Sequence, residues 1–444
     1  MSSTSPDQVP PPPEPAVGAL LDYIDASPSP YHAVSGAAQR LSEAGFVGLD
    51  RTDSWPDGPG RWFTADGGAL VAWVDNGQGP PSAPCRIIGA HTDSPNLRVK
   101  AHPDTGRAGW RQVAVEVYGG ALVNSWLDRD LGLSGRLTVS DPRSDSGYST
   151  HLVLIDRPIM RIPQLAIHLD REINDKGLQL NRQTHMVPVL GLGTASAGDL
   201  LELVAAEADV ASEAVLGWDL MLHDTVPSTV AGADGEFIFA PRLDNLYSCF
   251  AGIEALIAAS DESGAHPVRV VSLFDHEEVG STSATGAAGA LLSQVLERHN
   301  LARGGDRTDL LRSLAGSVCA SADMAHATHP NYVERHEPGH HITLDGGPVI
   351  KINANQRYAS DATSTAAFQL ACDRAEVPVQ RYIHRTDMAC GSTIGPMTAA
   401  GLAVPTVDVG VAQLSMHSIR ELAGTKDLGR MIAALEAFLT PTHG

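Results

Sequence analysis

Cysteine is scarce and poorly placed for cross-linking: Cys85, Cys249, Cys319, Cys372 and Cys390 are odd in number, widely scattered and form no C-x-x-C pair. That pattern excludes a disulfide framework and a zinc ribbon. Aromatic residues make up only 5% of the chain. No run approaches the roughly 20 apolar residues that a membrane-spanning helix needs. Positive charge is also short, with 31 Lys and Arg against 52 Asp and Glu, a formal net charge of −21. A surface that negative repels phosphate backbones, so neither nucleic acid nor a membrane is an expected partner. There is no Lys or Arg before Arg40, and no apolar segment of the kind a secretory signal carries. The expectation is a soluble, cytoplasmic protein. An anionic substrate would have to be met by a local lysine or arginine, or by metal ions.

What the chain does contain is 444 residues, 43% hydrophobic and 19% charged, which is ordinary globular usage and enough for two domains or one large one. Residues 1–14 are a Pro-rich tail, read as disordered or polyproline. AVGALLDYIDA and YHAVSGAAQRLSEAG repeat apolar residues at helical spacing, whereas GALVAWVD and CRIIGAHTD read as strands. Residues 97–235 are mainly short strands (VAVEVYGG, GRLTVS, HLVLID, WDLMLHD) with Gly, Pro and Ser turns and one helix around DLLELVAAEA. From 236 onward apolar runs alternate with long helical patterns. This alternation predicts an α/β fold. An open mixed sheet, covered by helices on both faces, would be built from residues 15–96 and 236–444 and interrupted by an inserted β-rich domain at 97–235.

The informative feature is how the apolar runs end. Ile87–Ala90 leads into His91-Thr92-Asp93, and Phe237–Ala240 into Arg242-Leu243-Asp244. Val268–Phe274 leads into Asp275-His276-Glu277-Glu278, Ser317–Ala320 into Asp323, and VPTVDVG is followed closely by His417. Each has an ordinary explanation when taken singly. A histidine after a strand is usually a satisfied core or surface group, Asp244 would cap a helix, Asp323 a turn, and the two glutamates would start a helix. Repeated at the strand ends of one open α/β sheet, where such folds bind ligands, the set reads as a site. Two imidazoles and three carboxylates suit a pair of divalent ions bridged by one carboxylate, with Glu277 or Glu278 left over as general base. Asp93, two residues beyond His91, suits fixing that imidazole from behind. Spacing thus points to a dinuclear metallohydrolase.

Eight motifs in order carry a more specific likeness: GAHTDSP (89–95), IPQLAIHLDR (162–171), EFIFAPRLDN (236–245), FDHEEVGSTSATGA (274–287), SADMAHATHPNY (321–332), GPVIKINANQRYA (347–359), CGSTIGP (390–396) and SMHSIRE (415–421). From about residue 20 to 440 the chain resembles the aspartyl aminopeptidases, dinuclear metallopeptidases that remove N-terminal Asp or Glu from peptides. The resemblance implies that His91 and Asp323 hold one ion, Glu278 and His417 the other, and Asp244 bridges them. It makes Glu277 the general base and Asp93 the partner of His91, with a cis peptide at Asp244–Asn245. Zinc is the expected metal, and the same N and O ligands tolerate manganese or cobalt. Lys351, with Tyr358 nearby, would meet the substrate's side-chain carboxylate; the plainer explanation is a lysine guarding a strand edge. His168, on the inserted domain, would reach a neighbouring subunit's active site, or simply face solvent from a β surface. The inserted domain would make dimers that assemble into a homododecamer. His276 and Asp170 depart from the family pattern, which has Asn at both. A related dinuclear hydrolase acting on neutral N-termini or acylated amino acids is the alternative. A non-catalytic scaffold should have lost ligands, and all five stand here with the base.

Overall fold

The computed structural model describes residues 15–262 and 267–441, so the Pro-rich tail at 1–14 lies outside the described residues. Three sheets organise the chain. The largest has nine strands, in the order Val47–Gly48, Gly60–Asp66, Ala69–Asp75, Val268–Phe274, Cys85–His91, Val318–Ala322, Thr406–Gly410, Val349–Ile352 and Gln380–Ile383. Its four central strands, from Val268–Phe274 to Thr406–Gly410, run parallel, and antiparallel pairs flank them, so the sheet is mixed.

Strand alternation explains why this sheet is covered on both sides. Ile88, Ala90, Val271, Leu273, Ala320 and Val407 pack into one core with the helices Pro15–Asp25, Leu243–Ala259 and Asp427–Leu439. Their chain neighbours Ile87, Val270 and Cys319 point the other way, into a second core with Leu291–Ala302 and Ile394–Leu402. Each large aliphatic side chain so buried contributes about 1.5–3 kcal/mol. The two cores therefore clamp the strand ends in place.

A six-stranded antiparallel sheet is drawn from residues 96–224 and has its own core around Leu97, Leu133, Ile155 and Leu222. Thr229–Ala231 is not part of it. That strand pairs with Phe237–Ala240 in a third sheet of five strands, which also holds Glu421–Gly424, Ala412–Leu414 and Ala325–His326. This small sheet corrects one expectation. His91 ends, and Glu277, Glu278 and Asp323 follow, strands of the nine-stranded sheet, but Asp244 and His417 follow strands of the five-stranded one. The candidate ligands therefore lie where two sheets meet.

No helix among the described residues is long and apolar enough to cross a membrane. The five cysteines are free thiols.

Candidate metal centre

Register brings the first group together. His91 pairs with Phe274 across the parallel strands, so the residues after Phe274 emerge beside it. Ser321 pairs with Gly89, which sets Asp323, two residues on, level with His91. His91 is 1% exposed, and its Nδ1–H donates to the Asp93 carbonyl at 2.9 Å, leaving Nε2 as a bare donor atom. That nitrogen lies 3.3 Å from Asp244 Oδ1 and 3.8 Å from Asp323 Oδ1. On the other side of Asp244, Oδ2 lies 3.5 Å from His417 Nε2, which in turn is 3.4 Å from Glu278 Oε2. Two triads result, His91–Asp244–Asp323 and Asp244–Glu278–His417, each with its ligand atoms within 4.8 Å of one another. Asp244 is common to both.

The ordinary explanations fail at most of these positions. The helix after Asp244 begins with Arg242 in a left-handed turn (φ 55°), and no side chain caps it. Asp244 has ψ 102°, the Asp244–Asn245 peptide is cis, and its buried Oδ1 accepts no hydrogen bond. Glu277 and Glu278 form a single 3₁₀ turn rather than a helix start. Glu278 Oε1 is likewise buried without a partner. Lys351 lies on an interior strand, between Thr406–Gly410 and Gln380–Ile383, and is 2% exposed, so it guards no edge.

Asp93, fully buried, is the clamp of the site. Its carboxylate accepts the backbone N–H groups of Glu277 and Glu278 at 3.0 and 3.1 Å, and the Tyr118 hydroxyl at 2.7 Å. Its Oδ1 also approaches His91 Nδ1 at 3.4 Å. It thus orients the imidazole and both glutamates at once.

Sequence reading missed four contributors. Glu421 bridges the backbone N–H groups of Asp244 (2.9 Å) and His417 (2.7 Å), fixing one ligand of each kind. Its only trace in sequence is its place at the end of SMHSIRE. Tyr118 comes from the six-stranded sheet, with nothing in sequence to link it to Asp93. Gly119 (φ 71°) and Gly120 follow it, and a side chain on either would press within 3.0 Å of Glu278 Cβ or His417 Nδ1. Glycine at both lets the two regions close on each other.

Electrostatics favour bound cations. Asp93, Asp244, Glu277, Glu278 and Asp323 crowd two histidines in a site largely withdrawn from water. Burial pushes Glu277 and Glu421 up to about 8 and raises Glu278 well above the carboxylate range. Burial also opposes charge on His91 and His417. Their carboxylate neighbours outweigh it, lifting His91 well above the usual range and His417 to about 10. Asp244 is held low against its burial by the two imidazoles. A cluster of this composition is stabilised by divalent charge, and its all-N and O donors with two orphaned carboxylate oxygens fit zinc-type ions.

The cavity beside the triads, about 410 Å³, is lined by Glu277, Lys351, Tyr358, Arg357 and His326 as well as the ligands. Lys351 Nζ lies 5.2 Å above the Tyr358 ring. His168 is not there. It is exposed, in the irregular stretch around Leu165–Leu169 rather than on a β surface.

The model of the family described as aminopeptidase I zinc metalloprotease (M18) matches residues 23–439. The chain belongs to the M18 zinc aminopeptidases. A probable M18 family aminopeptidase 2 from Mycobacterium leprae is 55% identical over 422 residues, covering 95% of this chain and 97% of the relative. Among solved structures, Ape4 in complex with Nbr1 superposes with a TM-score of 0.91 at 36% identity, covering 96% of this chain and 85% of that one. The mApe1 dodecamer of S. cerevisiae gives 0.85 at 30% identity, covering 96% of both chains. The M18 assignment agrees with the α/β architecture, and makes the protein a metal-dependent exopeptidase rather than a scaffold.

Proposed function

We propose that this M18 aminopeptidase releases N-terminal Asp and Glu from peptides at a centre of two divalent ions. The observation that carries the dinuclear reading is Asp244, whose two oxygens face different triads, one toward His91 and one toward His417. Asp323 completes the first set and Glu278 the second. Ions held there, zinc first and manganese or cobalt as substitutes, would acidify a water and polarise the scissile carbonyl.

The chain's own groups do the rest. Glu277 lines the cavity but belongs to neither triad. It takes a proton from the attacking water and returns it to the leaving amine. Asp93 keeps His91 in the tautomer that presents Nε2 and, through two backbone N–H groups, aims Glu277 and Glu278. Lys351, backed by Tyr358, offers the cation that an acidic side chain needs in a chain of net charge −21. Residues 15–96 and 236–444 act as the catalytic domain and 97–235 as the dimerisation domain. His168 reaches the cavity of a neighbouring copy within a dodecamer of the kind seen for mApe1. The enzyme works in the cytoplasm.

The test strips the protein of metal, restores zinc, manganese or cobalt, and compares release of N-terminal Asp, Glu and Leu from otherwise identical peptides. Metal-dependent release of Asp and Glu over Leu is expected. Preferential release of Leu would keep the metal chemistry and discard the acidic pocket, leaving the alternative of a neutral or acylated substrate.

A further inference from the structure

The cavity wall carries a second cation that the reading above leaves unused. Lys351 donates to the Met324 carbonyl at 3.2 Å and lies 3.6 Å from Asp323 Oδ2. Directly opposite it, across the antiparallel strands, is Asp408, which is fully buried. The ammonium is thus already paired with one carboxylate of the fold, and part of its charge is compensated there. Arg357 differs in each respect. It lines the same cavity, it is exposed, and it forms no ion pair among the described residues. Its Nε donates to the carbonyls of Cys390 (3.2 Å) and Gly391 (3.3 Å), and the Ser392 hydroxyl donates back to the Arg357 carbonyl at 3.1 Å. The rim loop and the arginine therefore hold each other in place. With Nε engaged there, the two terminal nitrogens of a planar guanidinium remain, and no acceptor for them is found among the described residues. That fork matches a carboxylate.

We propose that Arg357 is a specificity-determining residue that contacts the side-chain carboxylate of the substrate's N-terminal Asp or Glu. The proposal rests on the acidic-residue reading of the site and adds the rim arginine to Lys351 as a second cation for the same carboxylate. A charge-assisted pair of this kind is stronger than a neutral hydrogen bond, and planar geometry adds selectivity. It also explains how an anionic substrate enters a cavity walled by carboxylates: the approaching acid meets an unpartnered cation at the mouth.

The experiment measures kcat and KM for Asp-, Glu- and Leu-initiated peptides of otherwise identical sequence, and for a Leu-Asp-initiated peptide. It uses zinc-loaded wild type, Arg357→Gln and Arg357→Lys. Arg357→Gln should raise KM for the Asp and Glu peptides about tenfold or more. KM for the Leu peptide and the zinc content should be unchanged, and Arg357→Lys should recover part of the loss. Equal changes on all peptides would overturn the proposal in favour of a purely structural role for the rim loop. No change on any peptide would overturn it as well. An effect confined to the Leu-Asp peptide would overturn it by moving the contact to the second residue. A wild type that releases Leu as readily as Asp would instead overturn the acidic reading, and is seen before any variant is made.

Discussion

The floor of the cavity and the stretch from Pro163 to Pro188 both hold candidate functional residues, yet they are built on opposite lines. On the floor, every ligand-bearing element is held by the chain itself. His91 and Asp93 are buried, and Asp93 and Glu421 between them accept the backbone N–H groups of Glu277, Glu278, Asp244 and His417. The stretch from 163 to 188 has one short helix, Ile173–Lys176, and leaves Leu165, Ile167 and Leu169 exposed at 56, 47 and 74%. A site that must hold reacting groups to fractions of an ångström is preorganised within the subunit. Neighbouring exposed leucines and isoleucine that nothing among the described residues covers have the character of an interface. His168 sits among them, exposed and away from the cavity.

That contrast can be broken at several points. The largest effect should come from Asp244→Ala, which removes the residue common to both triads. Metal content measured by elemental analysis should fall for both positions, and kcat/KM should drop about a thousandfold or more; full occupancy in the variant would remove the bridging role. Next, Glu277→Gln should keep its metal while kcat falls by about 10²–10⁴. Normal turnover there would defeat the assignment of the base. Glu421→Gln, which weakens the hold on two backbone segments without touching a ligand atom, should lower metal affinity about 10–100-fold in a chelator titration. Unchanged affinity would mean that packing alone positions Asp244 and His417. Smallest within the subunit should be Leu169→Asp. At 74% exposure it should change stability of the isolated fold by no more than about 0.5 kcal/mol. The particle mass measured by light scattering should nonetheless fall. An undiminished assembly would separate this stretch from the interface.

The extent to which the site was legible in sequence differs by residue. His91, Glu277, Glu278 and Asp323 stand at the ends of apolar runs that read as buried parallel strands, so their convergence at the carboxyl ends of one sheet is readable from pattern. Asp244 and His417 showed the same pattern but belong to a second sheet. A four-residue strand such as Phe237–Ala240 does not declare which sheet it joins, because pairing partners are chosen by tertiary contact. Glu421 and Tyr118 were invisible for a related reason. Their roles lie in hydrogen bonds to backbone or to Asp93 across 177 and 25 residues, and no local periodicity encodes such bonds. Lys351 was singled out by the family resemblance, while its pairing with Asp323 appeared only in the folded chain.

What the sequence by itself determined is therefore chemical: the family, the alternation of strand and helix, and an inventory of nitrogen and oxygen donors with a spare glutamate. Those properties reside in residue identity and short-range order, and survive without coordinates. What only the tertiary structure decided is arrangement. It brought two sheets together over Asp244, let Gly119 and Gly120 close one region onto another, and buried Lys351 while leaving Arg357 open at the rim. The physical reason is that charge compensation and close approach depend on distances between residues remote in the chain, and those distances exist only after the two cores have packed.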